Sequence, residues 1–213
     1  MNTEIYQAIK KRIVFMEYEP GQLLDEKVLA KEFKVSRTPV REVLLRLQYE
    51  MLLEIIPRGG IFVKRIDFQE MRDVYLTRIL IEGEVAKLAT INITQEQLRE
   101  IEKIKAECEE MINNSNPELL IRTDIALRDV MHRASKRPTI GMISNCLYYQ
   151  TLRLWYLVFN KTSFSVEVEH QIKEIEITLT FLRSGDPATG ESGGREIISN
   201  YMSRITKYFS SPE

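Results

Sequence analysis

Ile5, Ile9, Ile13 and Met16 recur every three or four residues within 3–17, one apolar stripe on a polar segment, and predict a helix. Glu19-Pro20-Gly21-Gln22 is a turn signal, and LLDEKVLAKEF (23–33) predicts a second helix with a cap at Asp25. Lys34-Val35 make a tight turn. Val40, Val43, Leu44 and Leu47 then follow the i, i+3, i+4, i+7 rule of a third helix running to about Glu50. LLEIIPRGGIFVKRI (52–66) reads as two short strands joined by Pro57-Arg58-Gly59-Gly60, the only β signal in the chain. From 67 onward the period is helical throughout, in segments near 68–90, 94–113, 117–136, 139–160, 164–184 and 187/195–209. Breaks fall at TINIT, NNSNP, KRPT, NKTS and SGDP. Gly190, Gly193 and Gly194 leave the last segment open: either its helix starts late, near Arg195, or the glycines permit close packing.

The pattern predicts a mainly α protein with a change of architecture near 66. Residues 1–66 form a winged helix-turn-helix with a small β-hairpin wing, and residues 67–213 an all-α bundle of about six helices. The third helix opens on an unusual sequence, Ser36-Arg37-Thr38-Pro39, followed by Arg41. Ser36 is a suitable N-cap whose hydroxyl can satisfy an amide two or three residues on. Pro39 falls in the first turn, where its missing N–H costs nothing and its fixed φ is already helical. With the apolar comb facing inward, Ser36, Arg37, Thr38 and Arg41 are left at the exposed end. Guanidinium forks match guanine edges and phosphates, so double-stranded DNA is the partner that this surface implies. Lys27, at the start of the second helix, is placed to reach a phosphate. Arg58, Gly59 and Gly60 form a wing tip that brings backbone close to a groove.

Composition sharpens this only in part. The chain is 44% hydrophobic and 29% charged, an ordinary globular balance, with a net charge of −1. Residues 1–66 carry 12 Lys and Arg against 9 Asp and Glu, whereas the remainder carries 18 against 22. A mildly basic head on an acidic body suits a polyanion partner for the head. No segment has the length of apolar sequence needed to span a membrane, and the N-terminus lacks a signal peptide's pattern. Cys108 and Cys146 lie in helical patterns without CxxC spacing and read as buried reduced thiols, which suits a cytoplasmic protein.

The stretch EPGQLLDEKVLAKEFKVSRTPVREVLLRL…PRGGIFV resembles the winged-helix head of the GntR family of bacterial transcription regulators. That resemblance implies that the positions of Lys27, Ser36, Arg37, Thr38, Arg41 and Gly60 contact operator DNA. Two departures are visible: Lys34 and Met51 stand where the family usually has glycine. LTRILIEGEVAKLA (76–89), with Arg78 and Glu82 on the family's RxxxE signature, resembles the FadR-type (FCD) ligand-binding domain. The resemblance implies a helical bundle with an internal effector cavity, and a homodimer that reads an inverted repeat. Many such domains hold a divalent metal through an aspartate, a histidine four residues later and two further histidines. Aligned without gaps, DIALRDVMHRASKRPTI (124–140) puts Asp124 and Arg128 at the first two positions, His170 at the next and Ile197 at the last. A guanidinium cannot ligate a metal. No metal or other cofactor is therefore expected. A rival alignment would use Asp129 and His132, at the expense of the Ala134-Ser135 and Pro138 matches.

The expected effector is a small organic acid, bound by Arg128 and Arg78, with Asp124 and His170 orienting it and Arg153 as a further lining candidate. Two alternatives to this stay open: Arg128 pairs permanently with Asp124 one turn earlier, and His170 is an ordinary core or surface histidine. The aromatic stripe CLYYQTLRLWYLVF (146–159), with the only tryptophan, Trp155, reads as bundle core or dimer face. An enzyme is disfavoured, for the sequence has no Gly-rich phosphate loop, no CxxC site, no GxSxG elbow and only two histidines. An effector-independent dimeric regulator and, more remotely, a metabolite-processing enzyme remain as alternatives to a repressor released by a small carboxylate.

Overall fold

The computed structural model describes residues 2–159 and 162–210. Two compact units divide the chain: the residues through Val74 with Cys146–Leu157, and Tyr75–Asn145 with the residues from Val158 on. The expected combination is present, a mainly α chain with a small antiparallel sheet near its N-terminus and helices after it.

The first unit begins with α1 (Asn2–Val14), α2 (Glu26–Glu32) and α3 (Arg37–Tyr49). Ile5, Ile9 and Ile13 of α1 and Val40, Val43, Leu44 and Leu47 of α3 are buried in one core, as their spacing requires. The segment 23–33 is not one helix. Leu23–Leu24 form a short strand, β1, antiparallel to β3 (Gly60–Val63), which pairs on its other side with β2 (Leu53–Ile56). The order is β1-β3-β2, so the wing is a three-stranded sheet rather than a lone hairpin. Pairing satisfies the free edge of β3 and turns Leu24 into the core, which a two-residue apolar signal could not reveal. Helix begins only after Asp25, whose carboxylate accepts from Lys27 N at 2.6 Å and Val28 N at 3.4 Å.

Six longer helices follow: α4 (Phe68–Asn92), α5 (Gln95–Glu110, continued by a 3-10 turn at Met111–Asn113), α6 (Pro117–Ser135), α7 (Pro138–Phe159), α8 (Phe164–Ser184) and α9 (Pro187–Ser210). The predicted end of the α7 segment at 160 lies outside the described residues. Among those described, no helix is long and apolar enough to cross a membrane. Residues 146–157 of α7 pack with the first unit, which corrects the reading of this stripe as bundle core. Tyr156 meets Phe15 edge to face at 5.4 Å, and the Tyr149 ring lies 3.4 Å from Lys10 Nζ. Lys10 is buried, and its ammonium donates to Glu50 and to the Tyr6 hydroxyl, both at 2.7 Å. Burial lowers its pKa while the Glu50 partner raises it, so the charge is held by a carboxylate and two rings. Cys146 is only half-buried, unlike Cys108.

In the second unit α5 is opened by a capping box between Thr94 and Gln97. Its Leu98, Ile101, Ile104 and Cys108 are buried, as are Leu120, Leu127 and Val130 of α6 and Val168, Ile175 and Leu179 of α8. The two readings of the last segment resolve in favour of close packing, because α9 starts at Pro187 and runs through its glycines. A Cβ at Gly194 would lie 2.6 Å from the Glu82 carbonyl oxygen, and one at Gly190 only 2.4 Å from Thr90 Oγ1. Backbone meets backbone there, which offsets the helix propensity the glycines forgo.

Lys34 and Met51 have φ of 55° and 59°, so both stand in the left-handed region where the family's glycines would be unstrained. Met51→Gly is expected to stabilise the chain by about 0.5–1 kcal/mol, the relief of left-handed strain exceeding glycine's larger unfolded-state entropy. Gly194→Val is expected to destabilise it by about 1–3 kcal/mol or more through overpacking. Urea unfolding midpoints check both.

Candidate functional site

Two surfaces carry chemistry. The first is the opening of α3. Ser36 occupies the N-cap with extended backbone, φ −70° and ψ 169°, but its hydroxyl makes no capping hydrogen bond. The expected cap interaction is therefore corrected: position and backbone are those of a cap, while the hydroxyl has no intrahelical role. Arg37, Thr38 and Arg41 are exposed, opposite the buried comb. The Arg41 side chain is 72% exposed, and its Nε lies 4.0 Å from Glu26 Oε1, a separation at which water screens most of the attraction. Lys27 is exposed on α2. At the wing tip Pro57 and Arg58 form a turn closed by Gly59 N donating to Ile56 O at 2.9 Å. Arg58 and Gly59 are exposed there. Arg58 takes φ 62°, the conformation of the third residue of a type II turn. Gly60 is half-buried with φ 125°, and a Cβ there would meet Leu23 Cδ1 at 2.6 Å. The φ of 125° is one that residues with a side chain rarely adopt, and this is what calls for glycine at 60.

The second site is a cavity of about 70 Å³ inside the second unit. Each wall is one face of a helix at the spacing that faces require: Arg78, Glu82 and Val85 from α4; Asp124, Leu127, Arg128 and His132 from α6; Glu174, Thr178 and Phe181 from α8; Gly194, Ile197, Ile198 and Tyr201 from α9. Glu82 sits between two guanidiniums. It accepts from Arg128 Nη1 at 3.1 Å and lies 3.5 Å from Arg78 Nη2. Arg128 Nη2 also donates to Ser144 Oγ at 2.6 Å. Burial alone would push the Glu82 carboxyl up, but Arg128, Arg78 and the Ser144 hydrogen bond hold it down at about 2. Ser144 is fully buried and has a single proton, which it donates to Glu82 Oε1 at 2.9 Å. Arg128 only donates, so the 2.9 Å contact between His132 Nε2 and Ser144 Oγ requires the proton on Nε2. Burial and then Arg128 lower the His132 pKa to about 4, and the ring is neutral at pH 7.

Across the cavity lining, the Tyr201 hydroxyl donates to Glu174 Oε2 at 2.7 Å. Burial, with Asp124 adding to it against the lowering bond from Tyr201, raises the Glu174 pKa well above the usual carboxyl range. Of the five residues expected to contact an effector, Arg78, Asp124 and Arg128 line this cavity. His170 does not. It sits half-buried on α8, where burial and then Arg204 lower its pKa. Arg153 lies in the first unit, donating to the Lys64 carbonyl at 2.5 Å, and burial brings its pKa down to about 10. Glu174, Tyr201 and Ser144 were not expected here, and His132 entered only through the rival alignment. Periodicity held a partial signal, since Glu174 is one turn beyond His170, Tyr201 one turn beyond Ile197 and His132 one turn beyond Arg128.

At the four positions where the family holds a metal, the residues do not fit a cation. Arg128 presents a guanidinium to the cavity and Ile197 has no donor atom. His170 is outside the lining, and among the described residues no group of three His, Cys, Asp or Glu side chains is arranged to hold an ion.

Removing the shared carboxylate leaves two buried guanidiniums to repel each other. Glu82→Ala is expected to lower stability by about 3–5 kcal/mol in urea unfolding. A depressed carboxyl contributes stability above its unfolded pKa of 4.5, lost as pH falls toward 2. His132, neutral when folded, must charge on unfolding, so stability falls as pH drops from 6.5 to about 4. His132→Gln keeps a donor for Ser144 and is expected to remove the upper part of this acid loss while leaving the lower part.

Comparison with known proteins follows the division of surfaces. Residues 1–63 match the model of "Bacterial regulatory proteins, gntR family", and residues 73–200 match the FCD domain. The HTH-type transcriptional repressor RspR of Escherichia coli K12 is 35% identical over 103 residues, 48% of this chain and 45% of that protein. The chain thus spans about half the length of the curated relative it matches there. HTH-type transcriptional regulator McbR of the same organism is 22% identical over 205 residues, 95% of this chain and 89% of that one. Among solved structures, Escherichia coli McbR/YncC superposes with a TM-score of 0.85 at 20% identity, covering 98% of both chains. A GntR regulator structure from Rhodococcus sp. RHA1 gives 0.72 at 15% identity, covering 97% of both. At these identities the structures establish the fold alone. With a winged helix-turn-helix head and an FCD domain matched over most of the remainder, the chain belongs to the GntR family of bacterial regulatory proteins, in its FCD-containing, FadR-type branch.

Proposed function

We propose that this chain is a DNA-binding transcription regulator of the cytoplasm, a homodimeric repressor released from an inverted-repeat operator by a small organic acid. It is not an enzyme in this reading. Residues 1–66 read DNA, and residues 67–213 sense the effector and pair with a second copy. The observation that carries the proposal is the outward projection of Arg37, Thr38 and Arg41 from the first turns of α3, with Ser36 uncommitted beside them. Lys27 supplies a phosphate contact, and Arg58, Gly59 and Gly60 supply the wing. The match of residues 1–63 to the GntR head supports it, and a relative named as a repressor supports the sign. A dimer is favoured by Leu76, Leu80 and Ile91, exposed along one face of α4. The effector class follows from two guanidiniums facing a partly open cavity. Their forks suit a carboxylate, and about 70 Å³ holds roughly five to seven adjacent water positions, the size of a very small acid. The cavity is metal-free here because a guanidinium takes the place of a histidine ligand and supplies the positive charge directly.

Selection from random duplexes would identify the operator, and fluorescence anisotropy would then measure its affinity. Arg41→Ala is expected to weaken specific binding about tenfold or more, with non-specific binding changed far less. Unchanged operator affinity in that variant overturns the recognition surface. A stabilising acid should weaken operator binding, and operator should weaken binding of the acid by the same factor.

A further inference from the structure

Within the first unit, the chain between the wing and α4 is held by backbone and side chains together. Val63 N donates to Gln22 O at 2.9 Å, and its carbonyl accepts from Gly21 N at 2.8 Å. On the other side of the sheet Lys64 N donates to Leu52 O at 3.0 Å. The Lys64 ammonium pairs with Glu70, and a Cβ at Gly21 would lie 3.1 Å from Arg65 Nε. Asp67 opens α4, its carboxylate accepting from Glu70 N at 2.9 Å. The Lys64 carbonyl, last of the sheet's edge, accepts from Arg153 Nη2 at 2.5 Å.

Arg153 reaches that carbonyl from the face of α7 that meets the head. Tyr149, Arg153 and Tyr156 follow the i, i+4, i+7 spacing, with Tyr149 over Lys10 and Tyr156 against Phe15. Arg153 is 3% exposed and its Nε has no hydrogen-bond partner. Glu82 compensates Arg78 and Arg128, whereas among the described residues no carboxylate pairs with Arg153, and burial is the one influence on its pKa. A neutral donor would satisfy the Lys64 carbonyl without desolvating a charge, so stability does not explain an arginine here. What the guanidinium adds is strength and direction, for a charged donor forms a hydrogen bond about twice as strong as a neutral one.

Building on the reading of a homodimer on an inverted repeat, we propose that Arg153 is a positioning residue for DNA recognition: it pins the chain where it leaves the wing, and so sets the half-site spacing that the two heads accept. It touches no DNA itself. A head on a fixed exit meets its half-site only at the matching distance and rotation, where the second head binds as an intramolecular event. A head on a loose exit reaches many spacings, each less favourably. Spacing preference is thus carried by a contact that no base meets.

The probe is the operator selected from random duplexes, used whole, as a single half-site, and with two base pairs inserted between its half-sites. Fluorescence anisotropy of the full-length protein measures all three. Arg153→Met, of similar length and uncharged, is expected to weaken binding of the whole operator about fivefold or more, with single half-site affinity held within about twofold. The penalty for the insertion is expected to fall from about tenfold or more to about threefold or less. Arg153→Lys, which keeps a charged donor, is expected to restore most of the preference. Glu70→Gln releases the Lys64 side chain at a part-exposed pair and is expected to relax spacing in the same direction by a smaller factor, which decides the matter should Arg153→Met not fold. An unchanged spacing profile in folded Arg153→Met overturns the inference. Equal weakening of half-site and whole operator also overturns it, since a merely structural arginine would act on each head alone. Selection that yields no repeated half-site, or a monomer on the operator in sedimentation, overturns it together with the dimer reading, while Arg41→Ala still tests the reading surface separately.

Discussion

The second unit is organised around one buried carboxylate. Glu82 is shared by guanidiniums from its own helix and from α6, and it accepts the only proton Ser144 can give. Two arginines could not be left facing each other in an apolar interior, and neither could a lone glutamate. Each member makes the burial of the others affordable in free energy. The arrangement also fixes directions. Because the carboxylate is held ionised, the serine proton and then the histidine proton have single possible positions. The cavity is therefore preorganised before any ligand enters, with its positive groups already aimed and its imidazole locked neutral.

The head depends on a simpler constraint. An apolar comb on α3 must face α1, and whatever shares the opposite side of the first two turns must face water. This is why Arg37, Thr38 and Arg41 could be placed from sequence. Helix existence was legible throughout for the same reason, since long periodic segments declare the face they bury. What remained hidden depended on pairing between distant segments. β1 is two residues long, and only the register of Leu24 against Ile61 makes it a strand. The packing of residues 146–157 with the head rests on Tyr149 over Lys10 and Tyr156 against Phe15, contacts whose partners are far apart in sequence.

The cavity was legible in outline and not in detail. Arg78, Asp124 and Arg128 were found through spacing and family resemblance, and they do share a lining. His170 was carried over from a metal-binding pattern. With the first and last histidines replaced, nothing requires the ring to face inward, and it packs near Arg204 and Glu167 instead. Arg153 was chosen as a cation on an aromatic helix, but the periodicity of that helix gives no sign of which unit it serves. Glu174 and Tyr201 could be paired only once the register of α9 on α8 was known. The glycines at 190 and 194 were the missing hint to that register, because they specify how near α9 comes to α4.

That nearness has a consequence for how such a pocket can change over time. Where main chains abut, there is no side chain to trim and no slack to take up, so the α4–α9 wall is a stiff boundary. Variation in ligand size must then be absorbed by movable or replaceable groups elsewhere, such as Leu127, Met131, Phe181 and Ile197. A lineage drifting toward a bulkier effector would shorten those side chains first and keep its glycines.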